Sequence, residues 1–232
     1  MCVEMSAKTF CWPKETVLLV LRDYVTLIDS AEAIAAHAVD YRQAFDVGEE
    51  DHALLLSSFA SDWQLFGRLA RARHVLSAPA DEDPVGSEWL EAEMSEVVTW
   101  RHDRCHPPPP CPDDDDQLDA VPSTASPGLI CVSSATYLHL MRTLEMIVVS
   151  LAPLGSFEAE LTTAEAAAVF AAFCREWHVF TRLAHDAAIL GRAFDDLDRV
   201  LDDLPVWSYD DPQPPLAVFA SERNRQLAEL IE

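Results

Sequence analysis

The sequence predicts an all-α protein in which two tandem homologous helical units pack as a bundle about a pseudo-twofold axis. Two observations lead to this prediction. Apolar residues recur at three- and four-residue spacing through most of the chain, and no segment shows the convincing apolar–polar alternation that is typical of strands. In addition, one part of the chain repeats another, and such a repeat determines how the rest of the sequence is divided.

The clearest repeat aligns residues 59–76 without a gap with residues 173–190. Each copy has the pattern Phe-x3-Trp-x2-Phe, followed by an Arg-Leu-Ala triplet that begins two residues later. A weaker match pairs residues 11–22 with residues 131–142 and retains a cysteine, a threonine, a leucine and an arginine. Because these matches occur in the same order along the chain, they indicate a duplication.

A third, short match follows in both copies, where Trp100 and Asp103 correspond to Trp207 and Asp210. The predicted units therefore cover residues 9–112 and 129–232, and a linker at 113–128 joins them. Prolines before this linker favour an extended polyproline conformation, while its aspartates repel one another and stay solvated.

Helix boundaries follow from caps and breakers. In the first unit, helices are predicted from Glu15 to about Phe45, from Glu49 to Pro79 and from Glu88 to Val98. In the second unit, one helix runs from an N-cap near Ser134 to Leu151, and the next begins at Thr162 or Thr163 and continues to Leu204 or to a break near Gly191. A final amphipathic helix is predicted at Leu216–Ile231.

The repeated aromatic residues fall at positions i, i+4 and i+7, which places them on one face of a continuous helix. Burial of each such side chain contributes roughly 1.5–3 kcal/mol, so this face is predicted to form the core and not a ligand box. The predicted repeat core consists of Phe59, Trp63, Phe66, Phe173, Trp177 and Phe180.

Four arginines also recur at corresponding positions, namely Arg22, Arg68, Arg142 and Arg182. An arginine beside a core usually reaches a carboxylate on a neighbouring helix, with bidentate geometry where space allows. The arginines are therefore predicted to form structural ion pairs, and a site for a substrate anion is the alternative.

Charge and composition limit the partners. With 40 acidic and 16 basic residues, the chain has a net charge of −24, which argues against nucleic acid and anionic membranes. Only two of the basic residues are lysines, which indicates a GC-rich genome of a bacterium, a halophile or a large DNA virus. The start of the chain resembles no signal peptide, and a cytoplasmic location is predicted, in the host cytoplasm if the protein is viral.

The six cysteines lack the density of a disulfide framework, and the matched Cys11 and Cys131 are interpreted as small buried apolar residues. A zinc finger or ribbon is not predicted, although the proline-rich segment brings four zinc-ligand types close together, because their spacing is wrong. These residues are His102, Cys105, His106 and Cys111.

No catalytic, metal or cofactor motif stands out, so the predicted function is a non-enzymatic protein–protein interaction or regulatory module. Its expected partner is a basic protein or an amphipathic helix, held between the units, with self-association as a further expectation. A virus-encoded modulator of host proteins would fit this class. One alternative is a metal-dependent helical-bundle enzyme with a site near His178 and His185, assisted by Glu176 and Asp186. Another is a scaffold component of a larger assembly.

Overall fold

The computed structural model describes residues 8–45, 49–101, 107–110, 118–123, 126–153, 161–202 and 204–210. This part of the chain is mostly helical, as predicted, but it also contains a small three-stranded sheet. None of the helices in these ranges is long and apolar enough to cross a bilayer. The predicted C-terminal helix, at Leu216–Ile231, lies outside the described residues.

The elements follow one another in a simple order. They are β1 (Thr9–Pro13), α1 (Lys14–Phe45), α2 (Glu49–Asp62), α3 (Leu65–Asp81), α4 (Pro84–Ser95), β2 (Ala120–Pro122), β3 (Leu129–Ser133), α5 (Ser134–Leu151), α6 (Thr163–Glu176), α7 (Val179–Gly191) and α8 (Leu197–Leu201). The helices pack mainly as three pairs, α1 with α7, α2 with α6, and α3 with α5.

The sheet corrects the prediction of an all-α fold. Its strands are antiparallel in the order β1-β3-β2. Burial does alternate along β1, where Phe10 and Trp12 are buried, but five residues are too few to distinguish this pattern from the start of a helix. Strand β2 also corrects the linker prediction, because residues 120–122 of the predicted solvated spacer pair with β3.

The pairing of β1 with β3 places Cys11 opposite Cys131, and the two cysteines form a disulfide. Their Cα atoms are 4.1 Å apart. The interpretation of these residues as unpaired apolar fillers is therefore wrong. Their spacing along the chain gave no indication of the bond, because only the sheet brings the two strands together.

The helix predicted through each aromatic repeat is in fact two helices. Helix α2 ends at Asp62 and α3 begins at Leu65, and Gln64 between them has a left-handed backbone with φ of 53°. His178 has the same conformation, with φ of 52°, between α6 and α7. A left-handed residue interrupts the regular rotation of a helix. Side chains that follow it therefore do not continue the face on which the preceding side chains lie.

This break corrects the predicted aromatic core. Phe59, Trp63, Phe173 and Trp177 are buried, but Phe66 is 45% exposed and Phe180 is only partly buried. Phe66 and Phe180 follow the left-handed residue in their copies. Extrapolating one helical period through that residue placed Phe66 on the buried face by mistake, whereas Phe180 still packs against the core.

Helix starts are set by local hydrogen bonds. The Thr162 side chain accepts from the Glu165 amide, and Glu165 in turn caps the Thr162 amide, which confirms the predicted start of α6. Ser133, and not Ser134, caps α5. Helix α4 begins at Pro84, earlier than the predicted Glu88, because Asp83 caps it and proline suits the first helical position.

The segments that follow α4 and α8 are each attached to another helix by a hydrogen bond from the backbone amide of a tryptophan. The backbone amide of Trp100 donates to Ser150 Oγ at 2.8 Å, and that of Trp207 donates to Ser30 Oγ at 2.9 Å. Ser150 lies near the end of α5, and Ser30 lies on α1. Each segment is thereby attached to a helix far from it in the sequence.

Candidate functional site

Arg68 and Asp23 form an ion pair that joins α3 to α1. The Arg68 guanidinium donates to the Asp23 carboxylate, and its Nε donates to the carbonyl oxygen of Trp63 at 2.9 Å. Arg71, one turn further along α3, contacts the second oxygen of the same carboxylate. Arg68 and Asp23 are both buried, so this repeated arginine has the structural partner that the sequence analysis expected.

The other repeated arginines have different surroundings. Arg182 Nε donates to the carbonyl oxygen of Trp177 at 2.9 Å, while its Nη2 donates to the carbonyl oxygens of Pro109 and Pro110. Arg142 contacts Glu93 in a more exposed ion pair between α5 and α4. Arg22 is partly buried on α1. The four arginines therefore do not gather into one anion site.

The chemically most notable cluster consists of His139 on α5 together with His185 and Asp186 on α7. His139 Nε2 lies 3.2 Å from His185 Nδ1 and 3.1 Å from Asp186 Oδ1. One nitrogen or oxygen atom of each residue lies within 4.8 Å of the corresponding atoms of the other two. Side chains from two packed helices thus converge on one small region.

Asp186 belongs to the buried face of α7. Leu183 and Leu190 lie three and four residues away on the same face, and all three are 0% exposed. His185 is the neighbouring residue and is partly buried, and His139 is 21% exposed. The cluster is therefore closed at the carboxylate and reaches solvent at the imidazoles.

The Asp186 carboxylate is poorly satisfied. Within the described part of the chain, neither of its oxygens accepts a well-directed hydrogen bond, although His139 lies close to one of them. Burial raises the pKa of Asp186 to about 6, against the opposing effects of His139 and Arg182. A buried carboxylate of this kind needs a proton or a cation to offset the loss of hydration.

Tyr24 adds a second unsatisfied polar group to this region. Its hydroxyl is buried and has no hydrogen-bond partner among the described residues. Burial raises the pKa of Tyr24, and the negative charges of Asp186 and Asp23 raise it further. The hydroxyl is therefore a neutral proton donor within electrostatic reach of the buried carboxylate.

The structure brings together only part of the metal set considered from the sequence. His185 and Asp186 lie in the cluster, whereas His178 is the exposed left-handed residue before α7 and Glu176 is exposed at the end of α6. His139 was missed, because it lies on another helix and no spacing along the chain relates it to His185. Its position on the partly buried side of α5 was the only available signal.

A separate groove of about 520 Å³ lies between α3, α4 and α5. Its apolar lining consists of Ala70, Leu90, Met94 and Met141. Its acidic lining consists of Asp81, Glu91 and Glu145. Arg73 and His74 also line it, and Arg73 contacts Glu145 in an ion pair between α3 and α5. The lining of the groove thus combines apolar and charged side chains.

No family model, curated protein or solved structure that was compared with this chain matches it.

Proposed function

We propose that this protein is a non-enzymatic interaction module, formed by duplication of one helical unit, and that it binds a basic amphipathic helix of another protein. The observation that carries the proposal is the groove between α3, α4 and α5, because both units contribute to it. Helices α3 and α4 belong to the first unit, and α5 belongs to the second.

The sheet supports the duplication. Its β1–β3 register is symmetric about the Cys11–Cys131 pair, so that Thr9 lies opposite Ser133 and Pro13 lies opposite Leu129. Helix packing has the same symmetry, since α1 packs on α7 while α3 packs on α5. Each unit therefore covers the other's core, as expected for two related halves about a twofold axis.

The conformation and hydrogen bonds of individual residues also support the proposed duplication. The left-handed Gln64 and His178 occupy corresponding positions of the repeat. One residue before each of them, a tryptophan carbonyl accepts from Nε of the repeated arginine, with equal distances of 2.9 Å in the two copies. The reciprocal bonds from Trp100 to Ser150 and from Trp207 to Ser30 also match residue for residue.

The groove suits an amphipathic helix because of its chemistry. Methionine side chains adapt to differently shaped apolar partners, and the partly buried Met94 lies in the lining, whereas Met141 is 1% exposed and belongs to the core. The lining has three acidic residues against one arginine, which favours a basic partner, and the chain's net charge of −24 attracts such a partner over a longer range. Two ion pairs join the helices around the groove. Glu145 of α5 pairs with Arg73 of α3, and Arg142 of α5 pairs with Glu93 of α4.

A charge-reversal experiment tests this proposal. The probe is a synthetic amphipathic helix with leucines on one face and lysines on the other, and its affinity is measured by fluorescence anisotropy. Asp81→Lys combined with Glu91→Lys should weaken binding about tenfold, because two attractive contacts of roughly 0.2–1 kcal/mol each become repulsive.

The matched control reverses two exposed charges of α1 that do not line the groove, Glu32→Lys combined with Asp40→Lys. It changes the net charge by the same amount and should weaken binding much less. Equal effects of the two double variants would show that binding follows overall charge and not the groove. Absence of any binding by the unmodified protein would also contradict the proposal.

A further inference from the structure

We propose that His139, His185 and Asp186 bind one divalent transition metal ion, of which zinc is the representative case. This site is separate from the groove, so the inference does not depend on the interaction proposed above. It also differs from the site considered from the sequence, because it includes His139 and excludes His178 and Glu176.

The distances in the cluster fit a metal site. An ion held by bonds of about 2.0–2.1 Å in tetrahedral geometry keeps neighbouring ligand atoms about 3.3 Å apart. His139 Nε2 lies 3.2 Å from His185 Nδ1 and 3.1 Å from Asp186 Oδ1. The ligand atoms of His185 and Asp186 lie within 4.8 Å of each other, so an ion placed beside His139 requires these two side chains to turn toward it.

The donor types also fit. Two imidazole nitrogens with one carboxylate oxygen are a common set for zinc and for related divalent ions, and three protein ligands leave a coordination position open. The exposed edge of His139 gives the ion a route from solvent. The buried Tyr24 hydroxyl is close enough for the charge of Asp186 to raise its pKa, so a polar group lies near the proposed ion.

A cation would also resolve the electrostatic problem at Asp186. This carboxylate is 0% exposed and accepts no well-directed hydrogen bond from the described residues. Burial of an ionised carboxylate is strongly unfavourable unless a positive charge lies beside it. The charge of Arg182 already acts on Asp186, and a divalent ion between the carboxylate and the two imidazoles would add a positive charge in direct contact with it.

The fold itself does not require these three residues, provided that the duplication proposed above is correct. At the corresponding positions the first unit has Leu19, Arg71 and Ala72, and an ion pair with Asp23 satisfies Arg71. The same helical arrangement thus forms in the first unit without these two histidines and without a carboxylate at the position of Asp186. The two histidines are therefore an addition of the second unit to the repeated helices.

The test uses the purified full-length protein, freed of metal with a chelator and titrated with Zn²⁺ and separately with Co²⁺. We expect one equivalent of Zn²⁺ to bind by calorimetry, and Co²⁺ to give the visible absorption of a tetrahedral site. His139→Gln and Asp186→Asn should each weaken Zn²⁺ binding at least tenfold. His178→Gln, which changes an exposed histidine just before α7, is the matched control and should bind normally.

A second control addresses the ligand types of the proline-rich segment. Cys105→Ser combined with Cys111→Ser should leave Zn²⁺ binding unchanged. If this double variant abolishes binding and His139→Gln does not, the ion binds elsewhere and the proposal is wrong. Failure of the unmodified protein to bind either metal overturns it too. Should Asp186→Asn fail to fold, as judged by circular dichroism, the partly exposed His139→Gln still decides the question.

Discussion

At the scale of single residues, the described core contains two polar arrangements that differ in how well they are satisfied. Asp23 contacts both Arg68 and Arg71, so its charge is balanced. Asp186 lies near the imidazole of His139 and is influenced by the charge of Arg182, but it accepts no well-directed bond among the described residues. The Asp23 carboxylate has ion-pair partners for both of its oxygens. The Asp186 carboxylate could gain such a partner from a bound ligand.

The Asp23 network gives a stability prediction. Asp23→Asn should lower the free energy of unfolding by about 3–5 kcal/mol, because it leaves the Arg68 charge buried without its carboxylate. Urea denaturation measures this change. Glu32→Gln, an exposed change on the same helix, should alter stability by less than about 0.5 kcal/mol. A loss below about 1 kcal/mol for Asp23→Asn would mean that Arg68 is already stabilised by other groups.

At the scale of elements, the periodic pattern located the helices well but missed their interruptions. The helices α1 and α5 and the start of α6 agree closely with the predicted ranges. The turns at Gln64 and His178 were not predicted, since a positive φ is uncommon for any residue other than glycine, and the enrichment of histidine at such positions is too weak to locate a turn. The exposed Phe66 is a direct consequence of that omission.

The left-handed turns can be tested by glycine substitution. Gln64→Gly should raise the free energy of unfolding by about 0.5–1 kcal/mol, because glycine adopts a positive φ without strain. Ser58→Gly, in the exposed interior of α2, should lower it by a few tenths of a kcal/mol. Thermal and urea unfolding measure both changes. Destabilisation by both variants would show that Gln64 is not left-handed in solution.

At the scale of the whole molecule, the disulfide between β1 and β3 joins the beginnings of the two proposed units. It links residues 120 positions apart in the sequence. A cross-link over such a long segment restricts the unfolded chain strongly, so it stabilises the folded state more than a local one would. The sheet and the helix pairs then act together to hold the halves in contact.

Removal of this bond gives a prediction for the whole fold. Cys11→Ala combined with Cys131→Ala should lower the free energy of unfolding by about 2–5 kcal/mol. Reduction of the unmodified protein with dithiothreitol should produce a similar loss and should not affect the double variant. If the reductant destabilises both proteins equally, its effect does not come from this disulfide.

Helical character, about half of the helix ends, the acidic charge and the repeated segment could all be derived from the sequence, because each depends mainly on local sequence. The Thr162 capping box and the length of α1 are examples. The pairing of Cys11 with Cys131 and the meeting of His139 with Asp186 could not, because each joins elements that approach only when the chain folds. Local preferences decide which segments become helices, whereas packing decides which of their side chains meet.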